Sequence, residues 1–142
     1  MADVHSKNVR SYNMSRIKGK DTKPEVMVRK YLFSRGLRFR KNDKRYPGHP
    51  DIVLPKYKTV VFVHGCFWHL HEGCRYAVMP TSNVDFWTSK LNGNKTRDIK
   101  NQNELSAMGW HVITIWECDL KKSSRDETLA KLYAQITNNK AL

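Results

Sequence analysis

Three cysteines and one histidine in this sequence have the types and spacing of a metal site. Cys66, His71 and Cys74 lie within nine residues, and Cys118 follows a predicted strand much farther along the chain. Three thiolates and one imidazole make a closed tetrahedral set, the usual composition of a structural zinc site. The alternatives are that Cys118 is simply a buried cysteine, or that His69 replaces His71 as the ligand. We predict a loop over residues 65–80 that zinc stabilises.

A carboxylate and two histidines could carry hydrolytic chemistry next to this loop. Asp51 opens a short apolar stretch, where a buried carboxylate needs a cation or hydrogen bonds. A cation with oxygen ligands would polarise a phosphate, and a histidine would activate water or stabilise the leaving oxygen. His64 ends the next apolar run and His69 lies five residues on, so the three side chains can meet. The simpler interpretation is a turn-capping Asp51 with two structural histidines.

Two further carboxylates are candidates for supporting roles. Asp98, on a predicted long helix, could orient a histidine. Glu25, at the start of an early helix, could contribute more weakly to the same site. The simpler interpretation is a solvated helix-face charge for Asp98 and a favourable first-turn charge for Glu25.

One aromatic pair lies inside the predicted zinc loop, and a second follows it. Phe67 and Trp68 are inside it, and Phe86 and Trp87 open the next helix. In a basic protein, exposed aromatic side chains are plausible wedges between base pairs, because unstacking a step costs least at a mismatch. Alternatively they pack around zinc, which we expect at least of Phe86.

The pattern of apolar residues and turn signals predicts the order α-β-β-β-α-β-α. Pro55 to Lys58 separate two apolar runs, which indicates a β-hairpin. The predicted elements are a helix from Thr22 to Gly36, a strand over 37–40, the hairpin strands 51–54 and 59–64, a helix capped by Thr81, Ser82 and Asp85 that runs to Ala107, a strand over 110–116, and a helix over 127–137.

Charge and composition favour a nucleic-acid partner. Lys and Arg number 26 against 13 Asp and Glu, a formal charge of +13 on 142 residues, so we expect a polyanion as partner. Residues 1–20 are basic, with little apolar surface to bury, and could lie on DNA. No apolar run is long enough to span a bilayer, so we expect no membrane role. The odd cysteine count argues against a secreted disulfide framework, and we expect an intracellular protein.

At Pro50-Asp51 and over His64 to His69 the sequence resembles the very-short-patch-repair endonucleases of bacteria. The resemblance covers nearly the whole chain. It includes Arg10-Ser11, Asn13-Met14, Asp21-Thr22, Phe86-Trp87, Asn94 to Asp98, Trp110, and Trp116 to Cys118. In one departure, Glu72 and Gly73 separate His71 from Cys74 where the family more often has one residue, and Gly73 is expected to absorb the extra length. In another, Phe62-Val63-His64 stands where the wider nuclease fold often has an acidic residue and a lysine, so histidine chemistry must replace the lysine.

The resemblance implies a single-domain α/β fold of the restriction-endonuclease type, with a mixed central sheet flanked by helices. Residues 21–142 would form the nuclease domain and residues 1–20 a DNA-contacting segment. It implies a monomer in the bacterial cytoplasm, near the nucleoid, that nicks double-stranded DNA 5′ to the thymine of a T·G mismatch. Repair proteins would be its partners.

The resemblance also implies a role for each candidate residue. Mg²⁺ would bind Asp51 and the backbone carbonyl of Val63, while His64 and His69 would be catalytic. Asp98 would be the histidine's partner, and Glu25 an outer-sphere contributor. The remaining implied residues are the zinc ligands Cys66, His71, Cys74 and Cys118, the DNA wedge Phe67, Trp68 and Trp87, and the DNA contacts Met14, from the opposite groove, and Asn94.

Two other functions stay open on the sequence alone. A restriction-type endonuclease would dimerise and cut both strands of a matched site. A zinc-stabilised DNA-binding module would explain the charge and the cysteines, but it leaves Asp51, His64 and His69 without a purpose.

Overall fold

A four-stranded mixed sheet lies at the centre of the computed structural model, which describes residues 22–139. The strands are β1 (Arg40–Lys41), β2 (Ile52–Leu54), β3 (Thr59–His64) and β4 (His111–Trp116), in the spatial order β1-β2-β3-β4. The helices are α1 (Lys23–Ser34), α2 (Val84–Ala107) and α3 (Arg125–Asn138), with short 3₁₀ turns at Pro55–Tyr57 and Glu117–Leu120. The predicted order of elements and the mixed sheet are confirmed.

Strand pairing brings the start of β2 and the ends of β3 and β4 to the same edge of the sheet. β2 and β3 are antiparallel, and β3 and β4 are parallel, with Val63 opposite Ile115 and His64 opposite Trp116. Every residue of β2 and β3 is buried, which is typical of strands covered on both faces. Asp51, one residue before β2, therefore lies beside the end of β3 that carries Val63 and His64.

Helices pack on both faces of the sheet. α1 and α3 cover one face through a core that includes Val28, Leu32, Leu132 and Ile136. On the other face, Leu105 of α2 packs with residues of the sheet and Trp110. Thr22 caps α1 as predicted, since its hydroxyl accepts from the Glu25 amide at 3.4 Å.

Three details of the predicted elements were wrong. Leu37 to Arg40 does not form a strand; β1 is only Arg40–Lys41, which pairs with Val53 and Ile52. Its partner β2 is three residues long and ends at Leu54, before Pro55, so the chain before Arg40 has little strand to pair with. The capping box of Thr81, Ser82 and Asp85 is absent: α2 starts after Asn83, whose φ of 54° is left-handed, and no side chain caps it. α3 starts at Arg125, two residues before the predicted Glu127.

Within residues 22–139, no helix is long and apolar enough to cross a membrane. The basic segment 1–20, including Met14, lies outside the described residues.

Candidate active site

The predicted catalytic residues come together in one cleft of about 580 Å³. Strand ends form its floor, the start of α1 and the loop before β2 form one wall, and α2 forms the other. The predicted residues that line it are Glu25, Asp51, Val63, His64, His69 and Asp98.

Asp51 and Glu25 form a carboxyl pair at the floor of the cleft. Oδ2 of Asp51 accepts a hydrogen bond of 2.6 Å from the backbone N–H of Val63. Burial, with a smaller contribution from the neighbouring Glu25, raises the pKa of Asp51 to about 7, although the Val63 hydrogen bond acts to lower it. Glu25 itself is only 4% exposed. A buried and a half-buried carboxyl in contact carry a charge penalty that a bound cation would relieve.

His64, His69 and Asp98 form a second cluster across the cleft. Nδ1 of His69 lies 2.6 Å from Oδ2 of Asp98, and the His64 and His69 rings stack with centroids 3.8 Å apart and planes 5° from parallel. Burial lowers the pKa of His64 to about 4, and the adjacent His69 contributes. His64 is thus neutral at physiological pH.

The four predicted metal ligands also converge. The ligand atoms of Cys66, His71, Cys74 and Cys118 all lie within 4.8 Å of one another. Burial raises the pKa of Cys118, and the neighbouring Cys66 and Cys74 raise it further. Burial also raises the pKa of Cys66, whereas backbone and side-chain hydrogen bonds lower the pKa of Cys74. Thiols crowded in this way suit a cation that would deprotonate and bind them. Gly73, directly before Cys74, has a left-handed φ of +73°, which glycine adopts without a steric penalty.

A row of four rings explains how two histidines of one loop reach different sites. His69 stacks on His64, and His71 stacks on Trp116 with centroids 4.0 Å apart. His64 and Trp116 are register partners on β3 and β4. Leu70, with φ +48°, turns the chain between the two histidines. Of the two histidines, it is therefore His71 whose ring lies with the three cysteines, while the ring of His69 lies with His64 and Asp98.

The predicted aromatic wedge forms a cluster beside the cleft. Trp87 of α2 lies 5.4 Å from Phe67 and 5.8 Å from Trp68, centroid to centroid. Phe86 contacts Trp87 but is 59% exposed, so our expectation that it packs around the metal was wrong. Instead, it enlarges the aromatic surface that faces solvent.

Asn94 holds the loop that carries the aromatic residues. Its Nδ2 donates to the Trp68 carbonyl at 3.0 Å, and Arg97 donates to its Oδ1. The contact fixes the loop to α2, one turn before Asp98, so the same helix positions the aromatic cluster and the His69 partner.

Sequence reasoning missed the wall of the cleft between β1 and β2. Lys44, Gly48 and His49 line it, together with Asn101 and Gln102 of α2. The composition of this stretch indicates only a loop. The signal that could have found it is its position directly before Asp51.

Comparison with known proteins decides the family. The model of the family described as "DNA mismatch endonuclease Vsr" matches residues 2–75. The type II nicking enzyme V.NmeAIP of Neisseria meningitidis is 54% identical over 96% of this chain and 97% of its own length. The DNA mismatch endonuclease Vsr of Escherichia coli is 41% identical over 92% of this chain and 85% of its own length.

The chain belongs to the DNA mismatch endonuclease Vsr family. A type II nicking enzyme of Xanthomonas oryzae, V.XorIIP, is a further relative, 46% identical over 84% of this chain and 88% of its own length. Family membership confirms a DNA endonuclease of the mismatch-specific nicking type, with DNA as substrate and a divalent metal implied. It excludes a DNA-binding module without catalysis.

Proposed function

We propose that this mismatch endonuclease hydrolyses the phosphodiester 5′ to the thymine of a T·G mismatch and leaves the other strand intact. The observation that carries the proposal is the cleft itself. It places a carboxyl pair opposite a His69–Asp98 pair, beside an aromatic cluster, in a basic protein.

The carboxyl side of the cleft suits Mg²⁺. Asp51 would supply a carboxylate oxygen, the backbone carbonyl of Val63 a second ligand, and Glu25 an outer-sphere contact, all oxygen donors of the kind this ion prefers. When bound, Mg²⁺ would supply a Lewis acid that neutralises charge on the phosphate. The raised pKa of Asp51 supports the fit, because a buried carboxyl of this kind gains most from a cation.

His69 is the general base of this proposal. Its Nδ1 faces Asp98 at 2.6 Å, so the carboxylate keeps the proton on Nδ1 and leaves Nε2 to accept a proton from the attacking water. Asp98 then stabilises the imidazolium that forms. His64 is neutral and buried, and it stacks on the His69 ring. As the second catalytic histidine of the proposal, it would stabilise the leaving oxygen.

Zn²⁺ is the proposed occupant of the Cys66, His71, Cys74 and Cys118 cluster. Three sulfurs and one imidazole favour zinc over oxygen-preferring ions. The cluster would hold residues 66–74 in place between β3 and β4. Since His69 lies inside that loop, zinc would position the general base without contacting the reacting atoms.

The aromatic cluster is the proposed mismatch reader. Phe67, Trp68 and Trp87 would enter the stack beside the T·G pair, where unstacking costs least. Met14, on the basic segment 1–20, would enter from the opposite groove, and Asn94 would contact DNA while it holds the Trp68 loop.

The remaining proposals concern architecture and setting. The mixed sheet, with Asp51 and Val63 at the hairpin end where the proposed Mg²⁺ would bind, fits a restriction-endonuclease-like fold, with residues 21–142 as the nuclease domain. We propose a monomer, since a single cleft suffices to nick one strand. It would act in the bacterial cytoplasm, near the nucleoid, with repair proteins as partners, in line with its bacterial relatives.

Substitution of Asp51 tests the catalytic assignment. Asp51→Ala should abolish strand cleavage while T·G duplex binding stays largely intact, because the substitution removes the metal ligand and leaves the aromatic cluster unchanged. Asp126→Ala, an exposed carboxylate in the first turn of α3, is the matched control and should nick like the wild type. Equal cleavage by Asp51→Ala and wild type would remove Asp51 from the mechanism.

A further inference from the structure

The loop from Asn42 to His49 is built as a rigid wall of the catalytic cleft. Asn42, Gly48 and His49 all have left-handed φ values, of 50°, 77° and 47°. A Cβ on Gly48 would lie 3.0 Å from Cβ of Asn101 and 3.2 Å from the Phe62 ring, so the loop rests directly on α2 and β3. Backbone strain of this kind persists where the surrounding packing imposes it, often at functional sites.

Two side chains of this wall face the cleft without a local counter-ion. Among residues 22–139, neither Lys44 nor His49 has a side-chain hydrogen bond or ion pair, although both are exposed and line the cleft. Their neighbour Arg45 differs, because it forms two hydrogen bonds with Asp43, at 3.0 and 2.7 Å. The guanidinium of Arg45 is thus paired within the loop. The ammonium of Lys44 and the imidazole of His49 remain available to bind a ligand.

The ligand must be an anion that shares the cleft with the scissile bond. The carboxyl pair and the His69–Asp98 pair already provide for the phosphate that reacts. Consecutive phosphates of one DNA strand are only about 3.4 Å apart along the helix axis, so the phosphate that flanks the scissile one would lie close to the same cleft. Lysine and imidazole N–H groups are ordinary donors to such a phosphate.

We propose that Lys44 and His49 form a phosphate-binding site for the nucleotide that flanks the scissile phosphate on the nicked strand. The site fixes the register of the strand in the cleft and does not touch the reacting atoms. The proposal rests on the nicking function above, and it assigns a role to a loop that the catalytic proposal leaves unused.

The test compares salt dependence of DNA binding. Affinity of the wild type, Lys44→Ala, His49→Gln and the double variant for a T·G duplex is measured by fluorescence anisotropy without added Mg²⁺, across several KCl concentrations. Loss of the Lys44 ammonium from a phosphate should make the slope of log K against log salt shallower by about 0.9 in Lys44→Ala and in the double variant. His49→Gln, which removes a hydrogen-bond donor to the same phosphate, should lower the affinity. Arg45→Ala is the control in the same loop, since its charge is paired with Asp43, and its slope should match the wild type. Unchanged slopes in the double variant, or an equal change in Arg45→Ala, would overturn the proposal.

A second measurement identifies the phosphate. Phosphates around the nick are replaced one at a time by neutral methylphosphonates, and each duplex is bound by wild type and double variant. A methylphosphonate at one flanking position should lower the DNA affinity of the wild type about tenfold. The same substitution should leave the affinity of the double variant nearly unchanged, as expected for partners in a double-mutant cycle. Additive losses at every position would refute a specific contact.

Nicking in the same series separates this site from the catalytic proposal. With Mg²⁺, the double variant should show a raised KM, with the single-turnover rate at saturating enzyme within about threefold of wild type. A rate loss at saturation with unchanged KM would contradict the assigned role. Failure of the wild type to nick the T·G duplex would instead reject the proposed function, whatever the salt slopes show.

Discussion

Asp51→Asn should stabilise the magnesium-free protein while it abolishes nicking. Burial raises the pKa of Asp51 to about 7, so the folded state resists an ionisation that the unfolded chain undergoes near pH 4. The resulting penalty on folding grows as pH rises from about 4 to about 7 and is constant above that. For this shift it amounts to about 4 kcal/mol at pH 8 and a little under 2 kcal/mol at pH 5.

The amide that this substitution introduces can retain the hydrogen bond from Val63 without the charge. Because the Asp51 side chain is only partly buried, solvent screening reduces the gain to roughly 2–4 kcal/mol at pH 8. At about 2–4 °C per kcal/mol, the melting temperature should rise by roughly 4–16 °C at pH 8 and by much less at pH 5. The assay is differential scanning calorimetry of zinc-replete protein without Mg²⁺. Added Mg²⁺ should raise the melting temperature of the wild type and leave that of the variant unchanged. A variant that melts at or below the wild type at pH 8 would refute the reasoning.

Three further substitutions test the other parts of the site. Asp98→Asn should slow single-turnover nicking about 10²-fold at neutral pH with unchanged DNA affinity, because the amide cannot stabilise the His69 imidazolium; an unchanged rate would remove Asp98 from the mechanism. Cys118→Ser should lower the zinc content, measured by plasma mass spectrometry, and the melting temperature together. A variant with full zinc stoichiometry would disprove the ligand set. Trp87→Ala should reduce the preference for T·G over matched duplex roughly 10- to 100-fold, the stacking contribution of one aromatic side chain, whereas the exposed Phe33, changed to Ala, should leave the preference intact.

Local pattern was sufficient to predict most of the fold. The two apolar runs around Pro55 to Lys58 are a hairpin because both are β-branched and short, and the sheet buries them on both faces. The prediction of a strand over Leu37 to Arg40 was wrong for a non-local reason, since the length of a strand depends on the length of its partner. The predicted cap at the start of α2 was wrong because Asn83 adopts a left-handed conformation that no capping pattern reveals.

The site was predicted unevenly for similar reasons. Residue types and spacing were enough to group Cys66, Cys74 and Cys118. They did not separate His69 from His71, because that depends on the turn at Leu70 and on which ring each histidine meets. The wall of Lys44 and His49 has no periodic pattern, and only packing of Gly48 against α2 brings it to the cleft.

Strand-specific cleavage tests the central claim most directly. Purified protein and Mg²⁺ are incubated with two end-labelled duplexes that are identical except for one T·G pair in place of C·G, across varied flanking sequences, and the strands are resolved on a denaturing gel. We expect a single cut in the thymine strand of the mismatched duplex, 5′ to that thymine, and no cut in the matched duplex. Cleavage of both strands of the matched duplex would contradict the account and indicate a restriction-type enzyme.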